Sequence, residues 1–134
     1  MNYDTFIVQV ARRTGSSSEQ AVELTRATLE TLADRLTGGE VLDLAAQLPQ
    51  PLQVVVKGGG EAAERFGAAE FVARVAARAH VDEETARDAA RAVFTTLREA
   101  ITGAEFDDVA MQFPRDYRDV VEPAMAPGAT LRYS

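Results

Sequence analysis

The sequence predicts an all-α fold in which two pseudosymmetric four-helix repeats pack into one helical bundle domain. First, the chain repeats itself: at an offset of 65, positions 6–56 align without a gap with positions 71–121, and 19 of these 51 pairs are identical. Second, apolar residues in both copies recur at intervals of three and four, the spacing of one face of an α-helix. Two copies are too few for a solenoid, so we expect each half to cover the other's apolar face.

The domain organisation follows from the repeat. We expect a single domain over residues 1–134, with repeat one at 3–56, a linker at 57–67, repeat two at 68–121 and a mobile tail at 122–134. The linker contains the only run of three glycines, Gly58 to Gly60, which is typical of flexible chain. The tail carries two prolines and a glycine, which predicts extended or mobile structure.

The first two helices of each repeat are predicted from apolar spacing and from capping residues. The first helices place these apolar residues on one face: Tyr3, Phe6, Ile7, Val10 and Ala11, then Ala68, Phe71, Val72, Val75, Ala76 and Ala79. Ser17 and Asp82 stand where a second helix needs a cap. The second helices carry these stripes: Val22, Thr25, Leu29, Leu32 and Leu36, then Ala90, Val93, Phe94, Leu97 and Ile101.

The third helices begin at a Thr-x-x-Glu pattern, which is the spacing of a capping box. The pattern occurs at Thr37 and again at Thr102. The apolar stripes are Val41, Leu44, Ala45 and Leu48, then Phe106, Val109, Ala110 and Phe113. Pro49 and Pro114 are expected to end these helices because proline disfavours helical geometry in the residue before it.

The fourth element is ambiguous in repeat one, where LQVVV is compatible with a strand. The equivalent segment PRDYRDVVEP spaces Tyr117, Val120 and Val121 as a helix does, so we expect a short fourth helix in both repeats. The predicted shared core contains Phe6, Phe71, Leu32, Leu97, Phe94, Val10 and Val75.

Composition limits the function classes. A formal charge of −7 predicts a soluble protein whose overall field repels nucleic acid and anionic membranes, so a basic protein partner is favoured. The absence of cysteine excludes disulfides, thiolate metal sites and a thiol nucleophile. The amino terminus never reaches an apolar run long enough for a signal peptide or membrane span, and we interpret the protein as cytoplasmic. It is expected to be a monomer or a homodimer.

The strongest candidate contact residues recur in the third helix of each repeat. They are Glu40, Asp43 and Gln47, repeated as Glu105, Asp108 and Gln112. Offsets of three and seven return to nearly the same side of a helix, so each set forms one polar stripe. Capping and packing explain much of this pattern, since the glutamates occupy capping-box positions and the glutamines can bond exposed backbone near the prolines. Contact with a partner and binding of a divalent cation or acid–base use remain as alternatives.

The other candidate residues are better explained by structural roles. His80 is the sole histidine and matches Gly15 at the end of the first helix, where capping residues are preferred. The glycine run lacks the residues of a phosphate-binding loop. Arg12, Arg13, Arg74 and Arg78 are expected to neutralise helix ends and pair with nearby acids. We therefore assign no catalytic, cofactor-binding or metal-binding residue.

The repeated pattern resembles the bacterial domain of unknown function family 2267. The resemblance covers residues 3–121, and its most specific part is GGEVLDLAAQLP, which becomes GAEFDDVAMQFP in the second copy. It implies a helical fold and supplies no active site. The run FIVQVARRTGSSSEQAVELTRATLETLADRLTGGEVLDL is also similar to the helical body of HU-type histone-like proteins. The basic β-arm that holds DNA in those proteins has no counterpart here.

The sequence thus predicts a non-enzymatic helical module for protein interaction or regulation. A nucleic-acid-associated protein related to the HU-type helices is the alternative, and a metal-dependent enzyme that uses the acidic stripes is a third reading.

Overall fold

A computed structural model describes residues 1–59 and 62–124. The regular elements of these residues are all helical, which confirms the predicted fold class. The helices are α1 (Tyr3–Thr14), α2 (Ser18–Asp34), α3 (Gly38–Ala45), α4 (Gln50–Lys57), α5 (Ala68–Ala79), α6 (Glu83–Ala100), α7 (Gly103–Ala110) and α8 (Arg118–Val121). Short 3-10 turns, Arg115–Tyr117 and Glu122–Ala124, flank α8.

The helix boundaries are set by local capping interactions. Ser17 caps α2 by accepting the Gln20 backbone N–H, and Asp82 caps α6 by accepting that of Thr85. The first helix of each repeat ends in a left-handed residue, Gly15 with φ 67° and His80 with φ 57°. This conformation turns the chain sharply into the second helix and is favourable for glycine.

The two repeats pack across each other. Helices α1 and α5 each lie against both α2 and α6, while α2 and α6 contact one another. The outer helix α4 covers α2, α8 covers α6, and α3 meets α7. These contacts fit the predicted pseudosymmetric arrangement, because no repeat buries its apolar faces alone.

The predicted core residues are buried, each being at most 1% exposed. Around Phe71 the core is aromatic: its ring centroid lies 5.9 Å from Phe94, 6.2 Å from Phe113 and 5.6 Å from Tyr117. The contacts with Phe113 and Tyr117 are edge-to-face, and aromatic pairs of this kind add stability beyond the buried area. The half of the core formed by repeat two is therefore rich in aromatic contacts.

Several predicted boundaries were displaced. The second and third helices end before the last residues of their stripes, yet these residues remain buried in the turns that follow: Leu36, Leu48, Ile101 and Phe113. Pro49 lies four residues beyond the end of α3 and is the cap of α4 rather than the stop signal of α3. The segment LQVVV is helical, and α4 extends one residue into the predicted linker.

The described ends of the linker and the tail make defined contacts. The Glu64 backbone N–H donates to the Asp34 carbonyl at 2.8 Å, which holds the linker against the end of α2. Residues 122–124 of the predicted mobile tail form a 3-10 turn, and Ala124 is 6% exposed. Gly60 and Glu61 of the predicted linker and residues 125–134 of the predicted tail lie outside the described residues. Among the described helices, none is long and apolar enough to cross a membrane.

Candidate functional site

Helices α3 and α7 are both positioned by a threonine cap. The Thr37 hydroxyl accepts the Glu40 backbone N–H at 3.2 Å, and the Glu40 carboxylate accepts the Thr37 backbone N–H at 2.7 Å. This is the complete capping box that the sequence predicted. Thr102 accepts the Glu105 backbone N–H at 3.2 Å in the same way.

The second capping box is not closed by Glu105. The Thr102 backbone N–H instead donates to Oε1 of Gln47, at 2.8 Å, from the other repeat. Our prediction for these two residues was therefore wrong: Gln47 does not bond backbone beside its own proline, and Glu105 does not complete its box. Because Gln47 accepts the hydrogen bond of the Thr102 backbone N–H, the Glu105 carboxylate does not cap α7.

The two acidic stripes meet at one cleft. Glu40 and Asp43 from α3 and Glu105 and Asp108 from α7 line a cavity of about 250 Å³. Its remaining lining residues are Leu36, Val109, Met111 and Gln112. We call this cavity the acidic cleft. Five of the six candidate contact residues thus come together across the repeats, and Gln47 is the one that is used elsewhere.

The acidic cleft concentrates negative charge from both repeats. Within the described part of the chain, no ion pair involves any of its four carboxylates. Burial, together with the charges of Asp43, Asp108 and Glu40, raises the pKa of Glu105 above its ordinary value. Both causes disfavour the ionised carboxylate, so a cation entering the cleft would relieve repulsion as well as gain attraction.

The described side chains of the acidic cleft do not form a group that could hold a metal ion. Across residues 1–59 and 62–124, no group of three or more histidine, cysteine, aspartate or glutamate side chains is placed to hold a metal ion. Because no three of these side chains are placed to hold one ion, the lining of the cleft is better suited to an extended cationic group than to a single ion.

The other residues that the sequence singled out cap helices or form ion pairs. His80 caps α5, is exposed, and its backbone N–H donates to the Ala76 carbonyl. Gly58 caps α4. Of the predicted arginines, Arg13 pairs with Glu99 at 2.8 Å, whereas Arg74 and Arg78 both reach Asp34.

Sequence reasoning missed an aromatic cage around Arg35. This arginine caps the end of α2, is 9% exposed, and lies under three rings: Phe66 at 5.4 Å, Phe113 at 5.3 Å and Tyr117 at 4.9 Å. The Tyr117 hydroxyl accepts from Arg35 at 3.0 Å and donates to the Phe66 carbonyl at 2.6 Å. Burial raises the pKa of Tyr117 to about 12. One signal was available, since Arg35 aligns with Ala100 and is thus a departure from the repeat.

The fold and the site together define a class: a helical protein of two cross-packed repeats, with an acidic cleft where their third helices meet. Residues 3–120 match the family model of an uncharacterized conserved protein, DUF2267. The match spans most of the chain, so the protein belongs to this family, as the sequence resemblance indicated. A search of the curated proteins found no match.

Proposed function

We propose that the protein is a non-enzymatic cytoplasmic interaction module, and that the acidic cleft binds a basic segment of a partner protein. The observation that carries the proposal is the convergence of four carboxylates from two repeats on one cavity, without a paired cation among the described residues. Electrostatic complementarity of this kind favours a cationic partner and accelerates encounter.

The apolar surface at the cleft favours a peptide over a free cation. Met111 lines the cleft and is 59% exposed, while Leu36 and Val109 form buried parts of its lining. Methionine is flexible and polarisable and adapts to varied apolar partners. A lysine or arginine side chain flanked by an apolar residue would use both the carboxylates and Met111.

The same charges disfavour the nucleic-acid alternative. Phosphate groups are repelled by an acidic surface, and the affinity of DNA-binding proteins comes largely from basic residues that neutralise phosphates. The cleft offers the opposite charge.

The proposal is tested by measuring fluorescence anisotropy of labelled peptides of equal length that are basic, neutral or acidic, each with one leucine. The wild-type protein should bind the basic peptide, and added salt should weaken this binding. The double substitution Asp43→Asn with Asp108→Asn removes two cleft charges and should weaken binding about tenfold, which corresponds to about 1.4 kcal/mol.

The matched control is Glu19→Gln with Glu84→Gln. Both residues are exposed and occupy equivalent positions in the two repeats. The two substitutions remove the same total charge as the cleft variant does. Equal loss of binding in the control would show that net charge alone acts, and equal affinity for the three peptides would overturn the proposal.

A further inference from the structure

A second and larger cavity lies beside the acidic cleft. It has a volume of about 500 Å³ and shares only Glu40 and Gln112 with the cleft. The linker forms one wall, and the end of α2 and the turn before α8 form the others. We call it the linker cavity. This volume lies within the range that small-molecule sites occupy.

Among the described residues, the buried guanidinium of Arg35 in the linker cavity has no countercharge. Arg35 lines it, and its hydrogen bonds within the described residues go to uncharged acceptors: the Phe66 carbonyl, the Tyr117 hydroxyl at 3.0 Å and the Gln112 carbonyl at 2.8 Å. Its Nε–H has no partner within the described structure. No carboxylate of the described residues forms an ion pair with Arg35. A guanidinium that is removed from water without a countercharge is costly, and the three surrounding rings offset this cost only in part.

The carboxylates that line the linker cavity already accept hydrogen bonds, and a second arginine lines the same space. Each lining carboxylate already accepts a hydrogen bond: Glu64 from Arg74 at 3.0 Å, Asp116 from the Ala68 backbone N–H at 2.8 Å, and Glu40 from the Thr37 backbone N–H at 2.7 Å. Arg65 is exposed on the same cavity, and it forms no ion pair with residues that the structure describes.

We propose that the linker cavity binds a small organic carboxylate with an apolar body. The carboxylate would approach the Arg35 and Arg65 guanidinium groups, since charge-assisted bonds to arginine are among the stronger polar contacts in proteins. The apolar body would lie against Phe66, Pro114 and Ala63, which line the same space. This site is distinct from the acidic cleft and does not depend on the function proposed there.

The test uses benzoate and its neutral isostere benzamide as probes, with amide chemical shifts of the labelled full-length protein as the readout. Benzoate should produce saturable shifts at residues 63–67, and benzamide should produce much smaller ones because it lacks the charge. Absence of saturable benzoate shifts at these residues, or equal shifts with benzamide, would overturn the proposal.

Two variants locate the interaction. Arg65→Gln changes an exposed side chain and should weaken benzoate binding about tenfold, whereas the exposed Arg12→Gln control should leave it unchanged. Arg35→Met should abolish binding, and if this variant fails to fold, Arg65→Gln decides alone. Unchanged affinity in Arg65→Gln would overturn the assignment. The cleft variant Asp43→Asn with Asp108→Asn should retain benzoate binding, which separates this test from that of the cleft.

Discussion

Arg13 and Arg78, which occupy the same position in the two repeats, bond to the same two positions in the opposite repeat. Each reaches a threonine and a carboxylate on the second helix of the other repeat: Thr96 at 2.7 Å and Glu99 at 2.8 Å for Arg13, and Thr31 at 2.8 Å and Asp34 at 2.9 Å for Arg78. These reciprocal bonds tie each first helix to the partner repeat, so the halves are expected to unfold together.

The two carboxylates in these bonds should differ in their contribution to stability. Asp34 is 11% exposed and pairs with both Arg74 and Arg78, while Glu99 is 46% exposed and, among the described residues, pairs with Arg13 alone. We expect Asp34→Asn to lower the free energy of unfolding by about 2 kcal/mol and Glu99→Gln by about 0.5 kcal/mol, because solvent screens the exposed pair. Urea denaturation of both variants measures the difference, and equal losses would contradict this account.

Gln47 should be more important for stability than its repeat equivalent. Gln47→Ala removes the acceptor of the Thr102 backbone N–H and should cost about 1 kcal/mol. Gln112→Ala is the matched control, because the Gln112 side chain makes no hydrogen bond among the described residues, and it should cost less than half as much. Thermal and urea denaturation provide the comparison, and a larger effect of Gln112→Ala would refute the assigned role.

The same substitution should also change the ionisation of Glu105. Once Gln47 is absent, the Glu105 carboxylate can turn to the Thr102 backbone N–H, as Glu40 does to that of Thr37. A hydrogen bond to the ionised form lowers a carboxyl pKa. Side-chain NMR titration of Glu105 should therefore show a lower pKa in Gln47→Ala than in the wild type, and an unchanged value would argue against this exchange of partners.

Glu105 should make the protein less stable as the pH rises. Its pKa is raised in the folded state above the ordinary value of 4.5, so between these two values the folded protein holds more protons than the unfolded chain. The free energy of unfolding must then fall as pH rises through that window. Glu105→Gln should remove this decrease, which gives a variant more stable than the wild type near neutral pH and of similar stability below the unfolded-state pKa. Denaturation across pH tests the sign, and a variant that is less stable at neutral pH would contradict it.

Phe71 and Phe6 provide a matched test of the aromatic core. Both are fully buried and equivalent in the repeat, but Phe71 also contacts the rings of Phe66, Phe94, Phe113 and Tyr117. We expect Phe71→Leu to cost about 1 kcal/mol more than Phe6→Leu, because aromatic pairs contribute beyond their buried area. The comparison of unfolding free energies decides it, with equal costs excluding a special contribution of the rings.

Local interactions explain which features were predictable. The caps at Ser17, Thr37 and Asp82 each bond a backbone group three residues away, so their spacing is visible in the sequence. The partner of the Thr102 backbone N–H could not be predicted in this way. It bonds a residue 55 positions earlier, whereas the local pattern indicated Glu105. Likewise, the acidic stripes were found as two separate sets, and their meeting in one cleft was not predicted.

The sequence by itself determined the repeat, the helices, most of their caps and the residues of the core, because these depend on spacing within a few turns of chain. Only the tertiary structure decided that the third helices face each other and that Gln47, rather than Glu105, accepts the Thr102 backbone N–H. It also decided that Arg35 is buried beneath the rings of Phe66, Phe113 and Tyr117. The physical reason is that the charge, burial and bonding of these groups are set by neighbours far away in the chain, and short-range periodicity carries no information about such neighbours.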